Sequence, residues 1–158
     1  MILAIDIGNT HTDIGLADQN RVLKSTRVRT DEWGEKEVSE RLRRFVGRRL
    51  IEGTAIASVV PAATSLVEDS IGAIFNSRCV CLSHRNVVGL GGDYPKPNSI
   101  GADRLANAMA ALKRFGGPVV VVDFGTAVTF DVVDRRGFYV GGIIAPGLGA
   151  MTDYLHEK

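Results

Sequence analysis

Two stretches of this chain place carboxylates and hydroxyls where an apolar run gives way to a turn. Residues 2–18 read ILAIDIGNTHTDIGLAD, and residues 119–134 read VVVVDFGTAVTFDVVD. In each, an apolar run ends at Asp-x-Gly, a short hydroxyl-bearing loop follows, and an apolar run returns. Glycine lets the backbone approach an anion, and backbone N–H groups with Thr or Asn side chains donate to phosphate oxygens. A carboxylate cannot bind phosphate directly, but it can hold a cation, or its waters, that bridges to phosphate. Taken alone, Gly8-Asn9 between two strand-like runs is equally a hairpin turn. The repeat favours more than a turn. Asp6 matches Asp123, Gly8 matches Gly125 and, at the same offset, Thr12 matches Thr129. Each copy opens a three-strand unit followed by a helix, which points to two related halves facing one another across a cleft. Carboxylates buried face to face without a cation would repel, so the pairing points to a metal ion and a nucleotide. Neither common nucleotide fingerprint is present. Gly-x4-Gly-Lys-Ser/Thr is absent, and Gly89-Leu90-Gly91-Gly92 has the wrong spacing and runs into a proline-rich loop.

Between the copies, GADRLANAMAALKRF (101–115) opens a helix on Asp103 and Arg104. An acidic residue in a first turn complements the helix dipole, which explains Asp103 by itself. It does not explain Arg104, and an Asp–Arg pair at a helix start suits reading an anion and bearing a base. In phosphoryl transfer such a base mainly orients the attacking hydroxyl. Tyr94, in the loop before this helix, could line an acceptor pocket or simply anchor the loop.

The elements that must position these groups are legible in the periodicity. Residues 2–7, 12–17 and 21–29 read as three strands joined by turns. Val38, Leu42, Phe45, Val46 and Leu50 recur at helical spacing over 35–50. The arginines at 41, 43, 44, 48 and 49 fit a solvated helix face better than an anion patch. A buried strand (54–60), a helix (62–75) and a short strand (79–82) follow. Residues 89–99 form a Gly/Pro-rich loop, and Ala102, Leu105, Met109 and Leu112 give the 101–115 helix one apolar face. After the second copy, a turn at 135–137 leads to a strand over 138–145, and Pro146-Gly147 leads into a final helix. Strands alternating with helices make this an α/β chain.

The totals agree with one globular domain of ordinary size: 158 residues, 45% apolar and 23% charged. A net charge of +1 gives no argument for nucleic acid or a membrane surface, and no apolar stretch is long enough to span a bilayer. The N-terminus lacks the basic lead-in of a signal peptide and reads as a first strand. Cys79 and Cys81 fall on one face of a strand, a poor geometry for bonding each other, and with His84 are too few for a structural zinc. Free thiols and a reducing cytoplasm are the simplest expectation.

In order along the chain, Asp6-Ile7-Gly8-Asn9-Thr10, Gly101-Ala102-Asp103-Arg104, Asp123-Phe124-Gly125-Thr126 and Gly141-Gly142-Ile143-Ile144-Ala145-Pro146-Gly147 resemble the type III pantothenate kinases. That family belongs to the acetate kinase, sugar kinase, Hsp70 and actin superfamily. The resemblance implies a ribonuclease H-like (actin-like ATPase) fold, with one complete half over 1–117 and the beginning of a duplicated second half over 118–158. It implies ATP-dependent phosphorylation of pantothenate to 4'-phosphopantothenate, the first step towards coenzyme A. A divalent cation (Mg2+), a monovalent cation (K+ or NH4+) and a homodimer are implied with it. By position, Asp6, Ile7, Gly8, Asn9, Thr10, His11, Thr12 and Asp13 would bind the ATP phosphates, and Thr126 would touch ATP. Asp103 would be the general base. Gly101, Ala102, Asp103 and Arg104 with Tyr94 would hold pantothenate, Asp123 the monovalent cation, and Asp6 a metal. The chain departs from the family pattern at His11 and Val128, often Asn and Thr, and in the spacing around Tyr94. Family members continue past the equivalent of Lys158, so the second half is expected to be truncated. The competing readings are a non-catalytic ATP-binding or regulatory relative on the same scaffold, and a general ATPase or phosphatase.

Overall fold

The structure, a computed structural model, describes residues 1–92 and 94–157, with only the backbone described at 153–155. The chain forms two compact units, Met1–Leu82 and Ser83–Lys158. The second unit includes the helix before the second Asp-x-Gly copy, because that helix packs on the strands after it.

The first unit holds strands β1 (Ile2–Ile7), β2 (His11–Ala17), β3 (Val22–Arg29), β4 (Gly53–Ser58) and β5 (Cys79–Cys81), with helices α1 (Lys36–Val46) and α2 (Pro61–Phe75). The sheet order is β3-β2-β1-β4-β5, with an antiparallel β1–β2–β3 meander and β4 and β5 parallel to β1. This is the order expected of a ribonuclease H-like half. Alternation sends Leu3, Ile5 and Ile7 into the core and leaves Ile2, Ala4 and Asp6 exposed. Onto the buried side α1 lays Val38, Leu42 and Val46, and α2 lays Ala63, Val67 and Ile71, each set spaced by four along its helix. The helix expected over 35–50 stops at Val46, where Gly47 takes φ +68° and donates its N–H to the Arg43 carbonyl. Leu50 is consequently exposed, and the clustered arginines are solvated as expected.

The second unit holds β6 (Gly91–Gly92), α3 (Ala102–Phe115), β7 (Val119–Phe124), β8 (Ala127–Val133), β9 (Phe138–Pro146) and α4 (Leu148–Glu157). Its sheet order is β6-β9-β8-β7, with β7–β8–β9 an antiparallel meander like β1–β2–β3. The repeat is therefore real, but its register differs from the sequence alignment by one. Residues 8–11 lie between the paired Ile7 and Thr12, whereas only 125–127 lie between the paired Phe124 and Val128. Val128, not Thr129, thus occupies the place of Thr12, and both are buried. The short strand β6 was read as loop. A Cβ at Gly91 would fall 2.8 Å from the Phe138 ring, so only glycine fits beside that side chain.

Candidate active site

The first turn is a braced loop. Gly8 N–H donates to the His11 carbonyl at 3.0 Å, closing it. From below, the Thr30 hydroxyl donates to the Gly8 carbonyl at 2.7 Å and shares a 3.0 Å hydrogen bond with the Thr12 hydroxyl, while Thr30 N–H donates to the Thr10 carbonyl. Asn9, Thr10 and His11 are exposed, and Asp6 is exposed at the end of β1. Ile7 and Thr12 are fully buried. Their side chains serve the core and the brace, so at these two positions only backbone faces a ligand. Asp13 is paired across the sheet with Arg27, which grips both carboxylate oxygens at 2.8 Å. Asp13 also stands directly opposite Asp6. Like charges in that position repel, and Arg27 offsets the repulsion.

In the second unit α3 lies over the sheet face that bears Asp123, Thr129 and Asp131. Asp103 and Asn107 are one turn apart on this helix, hence on one side of it. The Asn107 side-chain amide donates to Asp123 Oδ2 at 2.8 Å, tying the helix to the end of β7. Asp103 Oδ1 accepts the Arg104 backbone N–H at 2.8 Å. Arg104 turns towards β8, where Nε and Nη2 lie 2.8 and 2.7 Å from Asp131 Oδ1. Asp131 is fully buried and also accepts the Tyr139 hydroxyl at 2.5 Å. Tyr94 packs edge-on against Tyr139, with ring centroids 5.9 Å apart. Burial, then the hydrogen bond to Asp131, pushes the Tyr139 phenol well above its ordinary range. Burial of Arg104 works to lower its pKa, but Asp131 outweighs this and the guanidinium ends above its usual value.

The structure thus ties α3, the helix that carries Asp103, to Asp123 through Asn107, and brings Arg104 and Tyr94 together through Asp131 and Tyr139. Thr126 is exposed in the β7–β8 turn. Gly147 closes on that turn, since a Cβ there would lie 2.6 Å from the Gly125 carbonyl oxygen. Asn107, Asp131, Tyr139, Thr30 and Arg27 were not singled out from sequence. Asp131 did leave a signal: a charged residue inside an apolar strand demands a partner. Cys79 and Cys81 are free thiols, with Cys81 Sγ donating to Glu68 at 3.1 Å. Among the described residues no cluster of three or more His, Cys, Asp or Glu could hold a metal, and no helix is long and apolar enough to cross a membrane.

Comparison with known proteins places these features in a family. A type III pantothenate kinase family model matches residues 2–158. A type III pantothenate kinase of Agathobacter rectalis is 40% identical over 99% of this chain and 63% of its own length. Another, from Moorella thermoacetica, is 36% identical over 100% of this chain and 65% of its own length. The chain therefore spans just under two thirds of the length of these relatives. Among solved structures it is similar to a putative 2-dehydro-3-deoxygalactonokinase from Sinorhizobium meliloti, with TM-score 0.56 and 15% identity, covering 98% of this chain and 56% of that one. An ethanolamine utilization protein from Carboxydothermus hydrogenoformans gives TM-score 0.55 and 16% identity over 98% and 56%. At these identities the likeness is one of fold, the ribonuclease H-like fold of the actin-like ATPases and sugar kinases. With the family model spanning residues 2–158 and the ordered motifs in place on that fold, the chain belongs to the type III pantothenate kinase family.

Proposed function

We propose that the protein phosphorylates pantothenate with ATP, giving 4'-phosphopantothenate. The observation that supports this best is the Asn107 bridge. Asn107, one turn from Asp103 on α3, ties that helix to the strand end that bears Asp123. A base and a cation-binding carboxylate at one strand end suit phosphoryl transfer, which depends on positioning and charge neutralisation. In this reading Asp103 accepts the proton of the pantothenate hydroxyl as its oxygen bonds to the γ-phosphorus. The bond to the β–γ bridging oxygen breaks, and ADP leaves. In the second unit Arg104 and Tyr94 hold the acceptor and Thr126 touches ATP; in the first, the backbone of 8–11 offers donors to phosphate. Asp6 and Asp123, exposed carboxylates at strand ends, are hard oxygen donors that fit Mg2+ and K+ or NH4+ respectively. Those cations would neutralise phosphate charge. Free thiols fit a cytoplasmic setting, and a homodimer is the working form that the family resemblance implies.

The test is a pantothenate- and ATP-dependent phosphorylation assay, run with and without K+. Turnover is expected, and Asp103→Asn is expected to abolish it while ATP binding persists. Unchanged turnover in that variant removes Asp103 from the role of base. ATP binding without pantothenate turnover in the parent protein would favour a non-catalytic relative.

A further inference from the structure

Arg104 is held unusually well for a residue in the first turn of a helix. Its guanidinium lies against Gly142 of β9 as it bonds Asp131 of β8, and it can do so only because position 142 is glycine. A Cβ there would fall inside 3.0 Å of Arg104 Nη2, the Phe130 carbonyl oxygen and Asp131 Oδ1. A second adjustment lies two residues before. The β8–β9 register slips between Val132 and Val133, with Val132 opposite Gly141 and Val133 opposite Tyr139. Gly141 takes φ +152°, a conformation that favours glycine. In an unbroken strand Tyr139 would point away from Asp131. The bulge moves it to the Asp131 face, where its hydroxyl reaches Oδ1. Asp131 Oδ1 thus receives both Arg104 and Tyr139, while Oδ2 is buried with no hydrogen-bond partner among the described residues. Only 13% of the Arg104 side chain is exposed. Its Nη1 group makes no protein hydrogen bond among the described residues, so those donors are left for a ligand.

We propose that Asp131 and Tyr139, admitted by Gly142 and the Gly141 bulge, are positioning residues that lock the Arg104 guanidinium so that its remaining donors meet the acceptor substrate. This rests on the reading of Arg104 as a pantothenate contact. An arginine side chain otherwise loses several rotamers on binding, and anchoring one edge of the planar group beforehand removes that cost.

The test is a double-mutant cycle in the full chain, measuring kcat and KM for pantothenate and for ATP. Asp131→Asn is expected to raise the KM for pantothenate by about 10–10²-fold, the scale of one lost hydrogen bond from a charged group, with the KM for ATP unchanged. Tyr139→Phe, which keeps the ring and removes only the hydroxyl, is expected to act in the same direction by less. In an Arg104→Ala background neither substitution should raise it further. A residue serving stability alone would keep its effect in that background. The anchor also has a readout without substrate: the Arg104 Nε–H signal in arginine-labelled protein should be protected from exchange, and lose protection in Asp131→Asn. Parent turnover with unchanged pantothenate KM in Asp131→Asn and Tyr139→Phe overturns the inference and leaves the kinase reading standing. An effect that persists in full in the Arg104→Ala background also overturns it. A parent protein that neither binds nor phosphorylates pantothenate overturns the kinase reading, and this inference with it.

Discussion

Replacing Gly142 by alanine tests the packing of the second unit directly. The added methyl would fall inside 3.0 Å of three atoms, and they differ in their freedom to move. Arg104 Nη2 ends a long side chain. The Phe130 carbonyl oxygen is backbone in β8 and cannot rotate away without disturbing the β8–β9 ladder. Asp131 Oδ1, 2.9 Å from the added carbon, is fixed by Tyr139 and Arg104. Shifting β9 to relieve the backbone clash costs about 1–3 kcal/mol, the usual range for overpacking. Expelling Arg104 instead would strip a fully buried carboxylate of its cation, a loss of about 3–5 kcal/mol. The strand shift is the cheaper response and should dominate. Restricting the unfolded chain returns only about 0.4–1 kcal/mol. The net loss is then about 1 kcal/mol, or a fall in Tm of about 2–4 °C for a chain of this size. Thermal melting followed by circular dichroism measures it. A Tm within about 1 °C of the parent would refute the close packing of Arg104 and β8 against Gly142.

Other outcomes follow from single contacts. Thr30→Val keeps the shape of the side chain but strands the Thr12 hydroxyl and the Gly8 carbonyl; it should cost about 1–3 kcal/mol in a melt and weaken ATP but not pantothenate in titrations. Gly72, exposed in α2 with nothing within 4 Å of its would-be Cβ, should accept alanine with a gain of about 1 kcal/mol; a loss in the melt would contradict a regular helix there. Burial, then the hydrogen bond to Glu68, pushes the Cys81 thiol up to about 11. Its folded pKa lies above the unfolded one, so its contribution to stability is complete below pH 9 and is lost between there and about pH 11. Alkylation of Cys81 should accordingly be slow at pH 8 and accelerate towards pH 11, and a free-thiol rate at pH 8 would contradict the burial.

Periodicity and turn chemistry were enough to read most strands and helices from the sequence, because alternation and the i, i+4 spacing are local properties. The Asp-x-Gly echo likewise revealed two related meanders before any coordinates. What the sequence determined by itself was therefore the element order, the repeat and the exposed groups at the strand ends, Asp6 and Asp123. Tertiary structure decided which polar groups are spent on the fold. Thr12 and Asp13 sit in the motif, yet one is bonded to Thr30 and the other to Arg27, both distant in sequence. Asp131 looked like an incidental charge in an apolar strand until α3 delivered Arg104 and a bulge turned Tyr139 towards it. A one-residue difference in turn length put Val128 where the alignment had Thr129. Each of these depends on strand register or on a long-range partner, and neither is encoded in the spacing of residues along a single segment.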